Sequence, residues 1–240
     1  RTRGFSYKYY NSSAIMKFCI ISILLCVALS NAEYALEKRS AHYRLIRDIS
    51  SSNRNRFLVN SRSDIIENCK RNGITAEART KLEEAFDEVE SCAGKKNIYA
   101  VPEAEFTQNI NDCSKEVVRL SKACLKESQS YFPDLLISMR NSVTHFLYAN
   151  KDVLRSDEVQ QCYKKVESSR AVSKYRQCVE AAAVGVDKVE LPHSKAEACR
   201  VLVGVSKCFP KLFTDQCDAS ANLDKFLKIY DESISGPCAA

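Results

Sequence analysis

Cysteine is the residue type whose number and spacing in this chain point most clearly to chemistry. Of the 12 cysteines, Cys19 and Cys26 lie in an apolar N-terminal segment that we expect to be removed. The other ten are Cys69, Cys92, Cys113, Cys124, Cys162, Cys178, Cys199, Cys208, Cys217 and Cys238. An even number of cysteines on a secreted chain is typical of a disulfide framework, so the sequence predicts five disulfides.

Zinc binding is the alternative role for these cysteines. A structural zinc site usually contains closely spaced pairs such as CxxC or CxxH. No such pair occurs here, and neighbouring cysteines of the ten lie 9 to 38 residues apart. The sequence therefore favours disulfides, and we expect neither a metal nor a cofactor.

Catalytic motifs are lacking in the sequence, which has no GxSxG, P-loop, HExxH or glycine-rich dinucleotide turn. The only histidines are His42, His145 and His193. A Cys–His nucleophile requires an unpaired thiol, which an even cysteine count does not leave. His145 lies on the polar flank of a predicted helix, where we expect a structural role. We therefore expect a protein that is not an enzyme.

Phenylalanines occupy the apolar faces of the predicted helices, where they could form a packed core or line a lipophilic cavity. These residues are Phe86, Phe106, Phe132, Phe146, Phe209, Phe213 and Phe226. Small residues such as Ala78 and Ala85 recur on the same faces and would interlock with the rings. We expect a mostly closed core with at most a minor apolar pocket between the helices that carry Phe106 and Phe146.

The N-terminal residues resemble a secretory leader. Met16-Lys17 supplies a positive charge, residues 18–29 are almost continuously apolar, and Ser30-Asn31-Ala32 places small residues at a cleavage site. The apolar run is too short to span a bilayer as a stable helix. The sequence therefore predicts a signal peptide over 16–32 and no membrane span in the mature chain, with residues 1–15 as the conceptual translation of untranslated upstream sequence.

Residues 33–63 are rich in Ser, Asn and Arg and lack sustained helical periodicity. We expect a basic, mobile or processed N-terminal arm, with Lys38-Arg39 as a candidate dibasic processing site. Residues 33–62 hold seven basic and three acidic side chains, whereas residues 63–240 have a net charge of −2. Because the body of the protein has no excess of basic residues, we expect no nucleic-acid partner.

Residues 64–240 have a helical pattern throughout, with apolar residues at steps of three and four. Stripes of this kind predict helices over about 64–72, 75–92, 103–128, 133–147, 159–166, 171–182, 194–205 and 223–230. Asn72-Gly73 is typical of a helix end, Thr75 of a helix cap, and Ser194 with Glu197 of a capping box. The sequence therefore predicts an all-α, disulfide-stapled bundle of about eight helices.

Helix geometry restricts how the cysteines pair. Cys113 and Cys124 lie 11 residues apart in one predicted helix, a separation of about 16 Å along the axis. A disulfide requires Cα atoms within about 7 Å. These two cysteines must therefore link their helix to two different neighbours, while the rest of the connectivity stays open.

Two segments of the sequence resemble the insect 27-kilodalton haemolymph protein (haemolymph glycoprotein) family. One is Asn68-Cys69-Lys70-Arg71-Asn72-Gly73, which opens the domain, and the other is the closing array EACRVLVGVSKCFPKLFTDQCD followed by SGPC. The resemblance covers Asp64 to Cys238 and implies a secreted, cysteine-rich helical protein of insect body fluid. That family has no established molecular activity, so the resemblance assigns no functional residues. The chain departs from it in having no Asn-x-Ser/Thr sequon within residues 33–240.

The sequence thus leads to a functional hypothesis and an alternative. The hypothesis is a secreted, non-enzymatic, haemolymph-type protein that binds a protein partner or a small apolar ligand. The alternative is a processed effector of another secretion, such as a venom or saliva component or an inhibitor.

Overall fold

The computed structural model describes residues 62–93, 96, 98–154, 156–166, 169–182 and 190–239. These residues are mostly α-helical and contain no β-strand. The helices are α1 over 62–71, α2 Ala76–Ala93, α3 Glu103–Cys124, α4 Phe132–Ala149, α5 Lys151–Leu154, α6 Asp157–Val166, α7 Ser169–Ala182, α8 Lys195–Ser206, α9 Cys208–Gln216 and α10 Ala221–Ala239. The prediction of an all-α fold is confirmed.

The helix ends that the sequence marked are made by specific hydrogen bonds. Gly73, with φ of +84°, closes α1 in a Schellman motif. Its N–H donates to the Lys70 carbonyl at 3.0 Å, and the Ile74 N–H donates to the Cys69 carbonyl at 3.1 Å. The start of α2 is capped by Thr75, whose hydroxyl accepts from the Ala78 N–H at 3.2 Å.

The predicted capping box at α8 is also present. Ser194 Oγ accepts from the Glu197 N–H at 3.2 Å. The Glu197 carboxylate reaches back to accept from the His193 N–H at 2.9 Å, one residue before the cap. Local sequence signals therefore determine the first turn of this helix.

Helix α4 joins two groups of helices. On one side α2 packs on α3 and α3 packs on α4. On the other side α4 packs on α10, which in turn contacts α5, α6 and α8, while α9 contacts α6, α7 and α8. The bundle is therefore continuous through α4.

The interior consists of two apolar clusters. The N-terminal core is Ile65, Ile66, Cys69, Leu82, Ala85, Phe86, Val89, Val117, Leu125, Phe132 and Leu191. The C-terminal core is larger and draws on α4 to α10. Tyr131 and Leu136 pack against both cores. The two clusters thus meet at the first turn of α4.

All ten cysteines of the predicted mature domain form disulfides. The pairs are Cys69–Cys124, Cys92–Cys113, Cys162–Cys217, Cys178–Cys208 and Cys199–Cys238, with Cα–Cα distances of 5.0 to 5.8 Å. The prediction of five disulfides is confirmed. So is the inference that α3 is tied to two neighbours, because Cys124 bonds to α1 and Cys113 bonds to α2.

The pairs are segregated along the chain. Two bonds lie within residues 69–124 and three lie within residues 162–238, and none connects the two sets. No cysteine occurs between Cys124 and Cys162, so α4 links the two halves without a disulfide of its own.

The structure corrects several predicted helix bounds. The helix predicted over 103–128 ends at Cys124, because Leu125 adopts an extended backbone and buries its side chain. A turn of 3-10 helix, Glu127–Gln129, follows it. At the start of the domain the helix already includes residues 62 and 63, which were assigned to the arm.

Helix α9 and the one-turn helix α5 were missed by the sequence analysis. Pro210 suggests a break in this region, but it is the third residue of α9, in the first turn, where its missing N–H costs nothing. Helix α10 likewise runs past Pro237 to Ala239, beyond the predicted end near Tyr230. This proline lacks the N–H of one intrahelical hydrogen bond, and the Cys199–Cys238 bond anchors the last turn that contains it.

The predicted signal peptide (16–32), residues 1–15 and all but the last two residues of the predicted arm (33–63) lie outside the described residues. Among the helices that are described, none is both long enough and apolar enough to cross a membrane. Five disulfides are consistent with a secreted or extracellular protein.

Candidate functional site

The two phenylalanines predicted to flank an apolar pocket face different neighbours. Phe146 is fully buried, and its ring lies 5.3 Å from that of Phe226 and 5.7 Å from that of Tyr230. Phe106 lies outside both cores, with its ring centre 6.3 Å from that of Tyr148. The pocket between them stays a prediction.

The centre of the C-terminal core is a cluster of aromatic rings, here called the ring cluster. It consists of Phe146, Phe209, Phe213, Phe226 and Tyr230. Neighbouring ring centres in it lie 4.4 to 5.9 Å apart, and no member is more than 2% exposed. Distances and tilts in this range are those of rings in direct contact. The rings therefore fill the space between α4, α9 and α10 with one another.

A second aromatic group, here called the aromatic corner, lies at the surface where α3 begins and α4 ends. It comprises Tyr99, Phe106, Tyr148 and Lys151. The Tyr99 and Tyr148 rings meet edge to face at 5.2 Å, and the Lys151 ammonium lies 5.1 Å from the centre of the Tyr99 ring. Tyr99, Tyr148 and Lys151 are only partly buried. Half-exposed tyrosines are typical of protein contact surfaces.

Tyr99 has an unusual backbone conformation. Its φ of 66° is in the left-handed region, which costs a bulky residue about 1–3 kcal/mol. Three contacts hold it there: its N–H donates to the Tyr148 hydroxyl at 3.1 Å, its own hydroxyl donates to the Leu147 carbonyl at 3.1 Å, and Lys151 covers its ring. Because these contacts lie within the chain, the aromatic corner is preformed and does not need a partner to take this conformation.

The Tyr148 hydroxyl forms two hydrogen bonds with the backbone around Tyr99. While it accepts from Tyr99, it donates to the Val101 carbonyl at 2.8 Å. Burial raises the pKa of Tyr148 above its ordinary value, although the hydrogen bond from the Tyr99 backbone opposes this. The phenol therefore stays protonated and keeps both hydrogen bonds at neutral pH.

Charged pairs border the aromatic corner. His145 Nδ1 lies 2.9 Å from a Glu103 carboxylate oxygen, and Lys96 Nζ lies 2.7 Å from Glu105. His145 remains 60% exposed and so lies at the surface, and its structural role stays a prediction. The surface here combines two rings with charges of both signs.

The arrangement gives no positive sign of nucleophilic chemistry. His193 is 61% exposed and lies 3.5 Å from Glu190. His42 lies outside the described residues. All cysteines within the described part of the chain are in disulfides, so neither described histidine has a thiol to activate. No group of three or more His, Cys, Asp or Glu side chains in that part is placed to hold a metal ion.

A buried polar cluster, here called the polar clasp, connects the two halves of the protein. It holds the backbone of Leu191 and Pro192, just before α8. The Leu191 N–H donates to Asn68 Oδ1 at 3.2 Å, and the Leu191 carbonyl accepts from Gln129 Nε2 at 3.0 Å. The Pro192 carbonyl accepts from the Tyr131 hydroxyl at 3.0 Å. The clasp brings Leu191 into the N-terminal core.

Replacing Tyr131 with phenylalanine tests the clasp. We expect the free energy of unfolding to fall by about 1 kcal/mol, because the Pro192 carbonyl loses its donor. Burial, together with the negative charge of Glu197, raises the pKa of Tyr131 above its ordinary value of 10.0. The unfolded chain therefore loses this proton first, and the stabilisation is present below pH 10 and is lost as the pH rises further.

Urea unfolding at pH 8 and at pH 10.5 measures both effects. The variant should lose less stability between the two pH values than the wild type. Ser130→Ala is the control, because the Ser130 hydroxyl bonds only to the nearby Glu127 carbonyl at 2.8 Å. An alkaline loss in Tyr131→Phe as large as in the wild type contradicts the assignment.

No sequence pattern pointed to Tyr99, Tyr148 and Lys151 or to the clasp residues. Tyr99 precedes Val101-Pro102 in a turn, which signals a loop but not a left-handed tyrosine. Asn68 and Gln129 bond to Leu191 across 123 and 62 residues of sequence, so no local pattern announces them.

No family model matches this chain, and neither a curated protein nor a solved structure is significantly similar to it.

Proposed function

We propose that this chain is a secreted, non-enzymatic protein of the haemolymph type that binds a protein partner through its outer surface. The observation that carries the proposal is the ring cluster. A carrier of small apolar molecules needs an interior cavity of several hundred cubic ångströms. Here four of the seven phenylalanines that could line such a cavity, together with Tyr230, fill the centre of the C-terminal core themselves.

The disulfides support the same role. Each ties helices together within one half, and together they keep the outer surface in a fixed shape at little entropic cost on binding. A surface fixed in this way is suited to recognition in an extracellular fluid, where proteases and dilution select for a protein that stays folded.

The aromatic corner is the best candidate for the contact surface. Tyr99 and Tyr148 offer large contact areas with few rotatable bonds, and their hydrogen bonds hold them in one arrangement. Lys151, Glu103 and His145 add polar groups at the edge. A protein partner that covers the two rings and pairs with these charges fits this composition.

A ligand-uptake experiment distinguishes a protein that binds partners at its surface from a carrier of apolar molecules. The folded protein is mixed with an equimolar long-chain fatty acid, or with benzene, and native mass spectrometry records what stays bound. We expect the mass of the unliganded protein. A stoichiometric fatty-acid complex contradicts the proposal and makes this protein a carrier.

A cavity variant serves as the positive control for this measurement. Phe226→Ala removes a ring that contacts Phe146, Phe209 and Phe213. Because empty apolar cavities of this origin take up benzene, the variant should bind benzene where the wild type does not. Its circular dichroism first establishes that it is folded.

A further inference from the structure

The five disulfides differ in how they are buried. In four of them one partner is buried, namely Cys69 at 0%, Cys162 at 3%, Cys199 at 9% and Cys208 at 2% exposure. The other partners of these four bonds pack against one of the two cores. Cys92 and Cys113 are both half-exposed and belong to neither core. It is therefore the one bond of the five in which neither cysteine is buried.

Each cysteine of the Cys92–Cys113 bond has an exposed polar residue next to it in the sequence. Cys92 is the second-last residue of α2, next to the exposed Ser91, and Cys113 follows the exposed Asp112. A thiolate can attack a disulfide only where it can approach a sulfur, so exposure determines which bond exchanges first.

The fold does not depend on this bond for its packing. Leu82, Phe86 and Val89 of α2 lie in the N-terminal core with Val117 of α3. The Cys69–Cys124 bond still ties α1 to α3. The Cys92–Cys113 bond also closes the shortest segment, with a sequence separation of 21 against 30 to 55 for the others. In the chain-entropy account the shortest loop contributes least to stability.

We propose that Cys92–Cys113 is a thiol–disulfide exchange site, which external thiols open while the protein stays folded. An external thiolate attacks one of the two sulfurs and forms a mixed disulfide, and the other sulfur leaves as a thiolate that takes a proton from water. A second external thiolate attacks the external sulfur of the mixed disulfide, and the remaining cysteine sulfur leaves as a thiolate that also takes a proton from water. The two protons that the protein takes up equal the two that the external thiols lost on forming thiolates. Two thiols are thereby oxidised to one disulfide, and the protein gains two electrons and two protons.

Reduction of the Cys92–Cys113 bond changes how firmly the aromatic corner is held. Residues 98–100 form the turn between α2 and α3, with Tyr99 at its centre. The covalent link between Cys92 and Cys113 spans this turn. Without it, the strained Tyr99 backbone keeps its contacts with Tyr148, Leu147 and Lys151 but loses the covalent link that closes its segment. Reduction therefore loosens the half-exposed tyrosines and leaves the two cores in place.

Graded reduction of the wild-type protein tests the proposal. The oxidised protein is exposed to glutathione or, in a separate arm, to a protein dithiol of the thioredoxin type. Samples are quenched with acid, alkylated and mapped by mass spectrometry. We expect Cys92 and Cys113 to be labelled at least about tenfold faster than any other pair, because access limits exchange. Far-UV circular dichroism at that stage should equal that of the oxidised protein.

The glutathione and protein-dithiol experiments together show which kind of thiol opens the bond. Opening by both reagents assigns the site to thiols in general, and opening by the dithiol alone assigns it to a protein oxidoreductase. If another pair is labelled first, or if all five open together, the proposal is wrong.

A pair of double variants provides the control. Cys92→Ser with Cys113→Ser should stay folded and should lack the fast labelling phase. Cys199→Ser with Cys238→Ser removes a bond that is buried on one side and should keep the fast phase. If the first variant does not fold, the partly reduced wild type still decides the question, because loss of its circular dichroism at the fast phase contradicts the proposal.

Discussion

Replacing Phe209 with alanine should lower the free energy of unfolding by about 3–5 kcal/mol. Phe209 is fully buried, and its ring centre lies 4.6 Å from Phe213, 4.4 Å from Tyr230 and 5.9 Å from Phe226. The change loses the transfer energy of a whole ring and leaves a cavity that these three rings, fixed by their own neighbours, cannot fill. Urea unfolding at neutral pH measures the loss.

Phe106→Ala is the matched control for this prediction. It makes the same chemical change at a residue that is 9% exposed and lies outside both cores. Its loss of stability should be clearly smaller, because the residues around it at the surface can move into the space. Equal losses in the two variants would contradict the central role of the ring cluster.

Removing the Cys162–Cys217 disulfide by replacing both cysteines with alanine should cost about 4 kcal/mol, since it closes a loop with a sequence separation of 55. Cys162 is 3% exposed, in the C-terminal core, so alanine is preferred to serine, whose hydroxyl would be buried without a partner. The midpoint of thermal unfolding under non-reducing conditions provides the measurement.

The effect of this change should disappear when the bond is absent from both proteins. In excess reductant the wild type and the double variant should unfold at nearly the same temperature. A difference that persists in reductant would mean that the alanines disturb packing, and a loss below about 1 kcal/mol without reductant would contradict the chain-entropy account.

Much of this fold follows from local features of the sequence. Apolar stripes place the helices, and Asn72-Gly73, Thr75 and Ser194 fix helix ends through hydrogen bonds within a few residues. The separation of Cys113 and Cys124 along one helix was enough to exclude their pairing. Such features depend on helix geometry alone, and the spacing of residues along the sequence is enough to predict them.

Other features depend on contacts that sequence spacing does not encode. The left-handed backbone of Tyr99 exists because Tyr148 and Leu147, 49 and 48 residues away, accept hydrogen bonds from it. Helix α10 continues through Pro237 because tertiary contacts bury that proline. The exposure that distinguishes the Cys92–Cys113 bond is likewise a result of how whole helices pack.

The segregation of the disulfides has a consequence for the order in which the chain is oxidised. Ten cysteines allow about 945 complete pairings, but four allow three and six allow 15. A chain made from its N-terminus exposes Cys69, Cys92, Cys113 and Cys124 to oxidant before the later six emerge. If the first four cysteines pair only with one another, the other six must do the same. The two sets then pair independently, and about 45 complete pairings remain possible. In this nested pairing Cys69 bonds to the last of the four cysteines to be synthesised. It must therefore remain unpaired while Cys92 and Cys113 emerge, until Cys124 follows them.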